Sequence, residues 1–544
     1  AAIFCLIYGT MGCDMPINDT LKQLVKQAME LKVKDQKSLQ VLKNQYSTHY
    51  KVGAPTNMEL VEAYRDMCKE KGVKTDSEFM KLLRKRGVRS MSGIVSITVI
   101  TKAFPCPGKC IFCPTEPNMP KSYLSNEPAI MRAILNDFGA YEQTLNRIDS
   151  LQRTGHDTDK VEIIVSGGTF SFYPHAYQTA FTRQIFNALN YPLKPSRSLL
   201  EAQQLNETAE NRCVGLSFET RPDHIDEKEV RRLATLGATK IEIGVQCLDD
   251  EIYALNQRGH TIADVARCMQ VLKDGCFKVN AHMMPNLYGS TPERDFEMMK
   301  ELFDNPDFRP DWMKIYPTMV VPWSVLDKMH KRGEFKAYSD PVLIDLMCKI
   351  KPLIPEYVRV TRLYRDIPAP TIVDGSKISN LRQVVQEEMR RRGLPQCRCI
   401  RCREVRDTVV DPKDLRMRVT EYDASGGHEF FIQWEDPVTD KICGFIRLRF
   451  PSQYYTGKKH FIKELEGCAL IRELHVYGMH IPLNDREDGA QQHFGLGKTL
   501  LAKAEEISRA AGFKKMAIIS GVGVREYYRK TGYKLEGTYM IKGI

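Results

Sequence analysis

Between residues 94 and 316 short apolar segments alternate with helix-patterned ones, and no other feature limits the possible folds as strongly. The apolar segments are 94–100, 161–166, 214–218, 240–246, 279–284 and 312–316, and helical periodicity fills stretches such as 227–236 and 262–274. Short apolar strands separated by helices pair in parallel. Six such units predict a partial (β/α) barrel, whose chemistry gathers at the C-terminal ends of its strands. A chain of 544 residues exceeds what one core holds, so an α/β multidomain protein is expected. Its divisions are an unassigned tail at 1–15, a basic helical region at 16–91, the barrel at 92–380, a cysteine-rich basic linker at 381–410 and a C-terminal α/β domain at 411–544. The tail lacks the basic flank and long apolar run of a signal peptide; it reads as an upstream remnant, with Met11 or Met15 as the start.

The first strand leads into Cys106, Cys110 and Cys113. This C-x₃-C-x₂-C loop offers three thiolates to a [4Fe–4S] cluster that needs four, leaving one iron open to a substrate or cofactor. Half of a zinc site is the plainer alternative. The second strand ends in Gly167, Gly168 and Thr169, where the glycines let a backbone edge approach a small ligand. Glu219 and Arg221 follow the third strand and Gln246 the fourth, adding a carboxylate, a guanidinium and an amide at the barrel mouth. The cysteine loop resembles that of the radical S-adenosylmethionine (SAM) enzymes, which implies that these residues bind SAM beside the cluster.

Farther along, Gln492, Gly495 and Gly497 precede a helical pattern through Thr499, Leu500, Leu501, Ala504 and Ile507. Glycines that open a helix N-terminus expose N–H groups suited to a pyrophosphate, and this Q-x-x-G-x-G run resembles the coenzyme A loop of the GNAT acetyltransferases. In that resemblance Glu473, Leu474, His475 and Val476 form the strand beside the pantetheine arm, and Tyr527 or Tyr528 stands near the thioester sulfur as a catalytic group. Between the two centres Cys397, Cys399 and Cys402 would fill most of a tetrahedral zinc site, the fourth ligand not being identifiable. Eight arginines against three glutamates surround them in 382–406. Arg390, Arg391, Arg392, Arg398 and Arg401, with Lys81, Arg84, Lys85 and Arg86 upstream, are candidate RNA contacts in a chain of formal net charge +11.

The barrel, cysteine linker and GNAT-type domain, with Asp159-Lys160-Val161-Glu162, Ala281-His282-Met283-Met284-Pro285, Arg365-Asp366-Ile367-Pro368 and Gly532-Tyr533, resemble the Elongator catalytic subunits over about residues 80–544. The compact cysteine spacing resembles the prokaryotic type. The resemblance implies a tRNA uridine(34) 5-carboxymethyl synthase, an acyltransferase that uses SAM and acetyl-CoA by a radical mechanism on the anticodon stem-loop, where the base is already unpaired. It further implies that Lys160, Glu473 to Val476, Leu496, Gly497, Lys498 and Tyr528 contact acetyl-CoA, with Lys160 among the catalytic residues. The electron donor and the tRNAs used are not legible, and a homodimer remains open. Sixteen cysteines without a secretion signal and without a run of about 18 apolar residues are expected of reduced thiols in the cytoplasm, away from a membrane. The rival readings are a protein lysine acetyltransferase with a structural iron–sulfur cluster and a non-catalytic RNA-binding scaffold.

Overall fold

The computed structural model describes residues 17–73, 75–84, 93–406, 408, 410–477 and 495–544. The tail at 1–15, Lys85, Arg86 and Gln492 therefore lie outside the described residues. The described parts of 1–95 together with 145–159 make one compact unit; 96–144 and 160–544 make the other.

Among its described residues the first unit contains α1 (Ile17–Glu30), α2 (Gln36–Tyr50), α3 (Asn57–Glu70), α4 (Ser77–Leu83) and most of the helix Ala140–Arg153. The starts of α2, α3 and α4 are fixed by side chains that accept the first free N–H groups: Asp35 from Ser38, Asp76 from Glu78 and Phe79, and Thr56 in a reciprocal capping box with Glu59. Leu24, Val25, Leu39, Leu60, Val61, Tyr64 and Leu83 pack between them.

The second unit begins with a seven-stranded sheet: β1 (Val95–Ile100), β2 (Lys160–Ser166), β3 (Arg212–Thr220), β4 (Lys240–Gln246), β5 (Lys278–Met283), β6 (Trp312–Ile315) and β7 (Arg359–Arg362). Strands are ordered as numbered, and β2 to β7 pair in parallel. The first and last strands are not paired with one another, so the sheet is a partial (β/α) barrel. All six expected strands are present, and β7 is one more.

A separate sheet follows, made of β8 (Arg416–Ala424), β9 (Gly427–Asp436), β10 (Lys441–Phe450), β11 (Cys468–Val476), β12 (Lys515–Ile518), β13 (Lys534–Glu536) and β14 (Tyr539–Gly543), in the order β13-β14-β12-β11-β10-β9-β8. Only β11 and β12 run parallel, paired from Cys468–Lys515 to Ile471–Ile518. Beyond Ile471 the two strands part, and among the described residues 472–476 have a strand partner on the β10 side alone. Among the described residues no helix is long and apolar enough to cross a membrane.

The two sheets of this unit are joined by charge. Arg447, Arg449 and Arg472 are wholly buried. Arg472 holds Asp311 at 2.5 Å and Glu429 at 2.8 Å, Arg449 holds Asp274 at 2.6 Å and Glu429 at 3.0 Å, and Arg447 holds Glu473 at 2.9 Å. Burial opposes ionisation of Asp311, but Arg472, Arg447 and Lys273 outweigh it and keep the carboxyl charged. Asp311→Ala would leave the buried Arg472 and Arg447 with Glu429 and Glu473 as their remaining counter-charges. The expected loss is about 3–5 kcal/mol of stability, read as a fall in the denaturation midpoint.

Candidate active site

At the barrel mouth the loop after β1 carries the three cysteines, with Cys110 buried and Cys106 and Cys113 partly exposed. They are not drawn together as ligands of a single ion would be, since their sulfurs do not all lie within 4.8 Å of one another. Cys113 hydrogen-bonds to Cys110 and lowers its pKa against the effect of burial, with Arg258 and Arg221 adding to the shift. Arg258 Nη1 lies 3.3 Å from Cys110 Sγ and Arg221 Nη1 lies 3.9 Å from it.

The remaining mouth residues come from the next strand ends. Gly167 and Gly168 have φ of 136° and 107°, a backbone that side chains disfavour, and a Cβ at Gly167 would overlap Thr101 Oγ1. Thr169 Oγ1 lies 3.5 Å from Cys106 Sγ. Glu219 Oε2 accepts a 2.6 Å bond from Tyr123, whose ring lies 5.0 Å from the Arg365 guanidinium. Gln246 adopts φ of 75°, and its buried Oε1 has no donor among the described residues. An amide oxygen left so, in a cavity mouth, is placed to meet a ligand. Arg221 pairs with Asp223 at 2.8 Å.

Below the mouth, ionisable side chains continue through the barrel interior. Glu162 on β2 accepts from Lys240 at 2.7 Å; Lys240 also stands 4.3 Å from the Trp312 ring. Glu242 is bonded by Lys314 and, at 3.0 Å, by His282 Nε2, while His282 Nδ1 is 3.7 Å from Glu219. Burial alone would raise the pKa of Glu242, yet Lys314, His282 and Lys240 hold it well below the usual carboxylate range. Burial, then Lys314, lowers that of His282, so its imidazole is neutral at pH 7.

The column ends at the C-terminal sheet, where Trp312 donates to Glu473 at 3.1 Å. Trp312 opens β6, so that sheet meets the N-terminal ends of the barrel strands, opposite the cysteine loop. Along β11 the side chains alternate. Glu473 faces Arg447 and Trp312, Leu474 packs in the apolar core of the C-terminal sheet, and His475 stacks near Phe445 and Tyr477 with its pKa lowered to about 4 by burial and Arg359. Gly495, in the left-handed region at φ 70°, caps the helix Leu496–Ala510. Leu496 is buried and Lys498 exposed.

A Cβ at Gly497 would stand 2.8 Å from the hydroxyl of Tyr527 and 3.6 Å from Val476. The helix start, the open edge of β11 and Tyr527 thus converge. Tyr528 is turned the other way, 5% exposed in the apolar core. Lys160 is exposed at the first position of β2, in register with Arg212, and a Cβ at Gly523 would overlap Arg212. Lys160 therefore lies at the same foot of the barrel as the C-terminal domain.

Cys397, Cys399 and Cys402 form the one cluster of potential metal ligands found among the described residues, their sulfurs all within 4.8 Å. Buried Lys351 Nζ is 3.8 Å from Cys402 Sγ. The neighbouring arginines are largely occupied: Arg391 by Glu388 at 2.6 Å, Arg392 by Asp345 at 2.6 Å, Arg398 by Asp440 at 3.1 Å and Arg401 by Glu404 at 2.6 Å. Arg390 has no carboxylate partner among the described residues. In the first unit Lys81 pairs with Glu78 at 2.6 Å and Arg84 with Asp157 at 2.9 Å. Exposed pairs of this kind are worth little and exchange readily for phosphate. Sequence reasoning passed over Tyr123 and Arg258, which no periodicity marks; Arg365 lay in a quoted motif but was given no role.

Residues 104–302 match the family model of the Radical SAM superfamily, and 310–391 that of the Radical_SAM C-terminal domain. The tRNA uridine(34) acetyltransferase of Methanocaldococcus infernus is 42% identical over 539 residues, covering 96% of this chain and 98% of that one. The tRNA uridine(34) acetyltransferase of Dehalococcoides mccartyi is 44% identical, covering 84% and 98%, and Elongator complex protein 3 of Homo sapiens 37% identical, covering 97% and 96%. Among solved structures, the archaeal Methanocaldococcus infernus Elp3 with an N-terminal deletion (1–46) superposes with a TM-score of 0.73 at 41% identity, covering 83% of this chain and 100% of that one.

Proposed function

The chain belongs to the family of the tRNA uridine(34) acetyltransferases and Elongator complex protein 3, and from this premise we propose that it is a radical SAM acyltransferase that places a carboxymethyl group on the wobble uridine of tRNA, using acetyl-CoA and SAM. The observation that carries this reading is the presence, in one compact unit, of a three-thiol loop at the mouth of a barrel and a glycine-opened helix start at its foot. A protein lysine acetyltransferase would need only the second.

In this reading Cys106, Cys110 and Cys113 hold a [4Fe–4S] cluster. The two guanidinium groups facing Cys110 suit a group held by thiolate ligands. When bound, the cluster supplies the electron that opens SAM. The backbone at Gly167, Gly168 and Thr169 receives the amino-acid end of SAM. Glu219, oriented by Tyr123, accepts from ribose hydroxyls, the Gln246 amide fills a further polar contact, and Arg221 faces the SAM carboxylate.

At the foot, N–H groups of residues 495–497 receive the pyrophosphate of coenzyme A, and the edge at 472–476 accepts the pantetheine amides. Tyr527 presents its hydroxyl beside the thioester, with burial raising its pKa so that it stays a proton donor at neutral pH. Tyr528 supports it from the core. Lys160 offers a cation to the same ligand. Three close thiolates beside the Lys351 ammonium suit zinc at Cys397, Cys399 and Cys402. The anticodon stem-loop binds to arginines of 390–401, and the protein acts in the cytoplasm.

The test is to incubate the iron-reconstituted full chain with tRNA, reductant, SAM and acetyl-CoA labelled in both acetyl carbons. Both labels are expected on uridine 34, and leaving out either SAM or acetyl-CoA should reduce incorporation to background. Label that appears on protein lysine without SAM, with none in tRNA, would overturn the proposal in favour of the acetyltransferase reading.

A further inference from the structure

Trp323 stands 58% exposed in the loop between β6 and the helix Val325–Lys331, with φ of 65°. That is the left-handed region, which a bulky aromatic residue rarely enters. The chain on either side holds it there. The Trp323 carbonyl accepts from Thr115 N–H at 2.8 Å, two residues past Cys113, and Leu326 N–H donates at 2.9 Å to the carbonyl of Ile111, next to Cys110. Ser324, buried, donates to the Val321 carbonyl at 2.7 Å and caps the helix by accepting from Asp327 N–H at 3.0 Å. The indole is thereby fixed on the rim of the barrel mouth against the cysteine loop, and no other ring packs on it among the described residues. Backbone strain of this kind persists where the surrounding structure imposes it, and it clusters at sites that clamp a ligand. The segments beside Trp323 are cationic. Lys109 in the cysteine loop and Lys328 on the helix are exposed and pair with no carboxylate among the described residues, while Asp327 is buried and held by Lys331 at 2.7 Å. A free aromatic face between unpaired ammonium groups suits an unstacked nucleobase and the phosphates on either side of it.

We propose that Trp323 is the stacking platform for an unpaired base adjoining the target uridine, so that the anticodon loop is held across the barrel mouth with that uridine turned inward. This rests on the reading of the chain as a tRNA wobble-uridine enzyme. Trp323 binds substrate and takes no part in making or breaking bonds. Lys109 and Lys328 meet the neighbouring phosphates, so their contribution falls as salt rises, whereas that of the ring does not.

The test measures binding of an anticodon stem-loop RNA to the full chain reconstituted with iron and sulfide. Trp323→Gly removes the ring while suiting the left-handed backbone, and it should weaken binding about tenfold or more at both low and high salt. Trp323→Tyr should recover most of that loss. Stem-loops with an abasic site in place of either neighbour of uridine 34 identify the base that stacks. One of them should bind the unaltered protein about as weakly as the intact loop binds Trp323→Gly, and should lose nothing further on that substitution.

Unchanged affinity of Trp323→Gly at wild-type iron content overturns the proposal, as do losses that simply add for both abasic loops, which would place the ring away from the bases. So does a Trp323→Gly chain that binds RNA normally but is reduced more slowly by flavodoxin, which would assign this rim to an electron-donor protein. If Trp323→Gly cannot hold iron, Trp323→Leu decides by the same comparison. Failure of the unaltered protein to bind any stem-loop would instead remove the tRNA reading on which the inference stands.

Discussion

Replacing Cys106, Cys110 or Cys113 by serine is expected to remove the visible absorbance of the reconstituted cluster and all cleavage of SAM. A neutral hydroxyl is a poor substitute for thiolate on iron. With only two thiolates left on the loop, the site can neither hold the cluster nor keep one iron open. Cys110→Ser should be the most severe of the three, because it also leaves Arg258 buried against a neutral group. Thermal unfolding of each variant separates loss of the metal from loss of the fold. A serine variant that stayed brown and still formed 5′-deoxyadenosine would remove the assignment of that cysteine.

At the other centre, Gly497→Val is expected to abolish acetyl-CoA binding while leaving the cluster and SAM cleavage in place. The first added carbon would stand 2.8 Å from the Tyr527 hydroxyl and 3.6 Å from Val476, so the bulk enters the space between the helix start and the open edge of β11. A loss of at least about 100-fold in affinity, or ~3 kcal/mol, should appear by calorimetry, and carboxymethylation of tRNA should fall with it. Full tRNA modification by a variant that no longer binds acetyl-CoA would show that the C-terminal domain is not the source of the added carbons.

The barrel could be read from the sequence because its central strands are buried on both faces and therefore appear as continuous apolar runs; β4 is covered over its whole length but for the rim of Gln246. The strand β7, Arg-Val-Thr-Arg, is short and half polar and gave no such signal. In the C-terminal sheet, β8 to β10 escaped notice for a stronger reason. Arg447 and Arg449 on β10 and Glu429 and Gln433 on β9 point inward, so the usual alternation of apolar inside and polar outside is broken where the sheet meets the barrel. The Gly-Gly turn and the glycine-opened helix were legible because backbone geometry demands glycine there, and the cysteine loops because closely spaced thiols mark metal ligation. The orientation of Tyr527 toward Gly497 and of Tyr528 into the core was not, since adjacent residues of one helix differ only by its rotation. Arg258 was hidden for another reason: its sulfur partner lies 148 residues away in the chain.

The buried arginine seam between the barrel foot and the C-terminal sheet also limits how this protein can work. Many two-site enzymes bring their reactants together by hinge closure, which requires an interface that opens at modest cost. Here opening would part Arg449 from Asp274, and Arg472 and Arg447 from Asp311, all at once. Breaking even one buried pair costs several kcal/mol. The barrel and the C-terminal domain are therefore a single rigid frame, with the cysteine loop at one end of strands six or seven residues long, a span of about 20 Å, and the helix start near the other. What crosses that distance during turnover is the ligand: the reach of a flexible thioester arm or of an everted nucleotide, and not a movement of the domains.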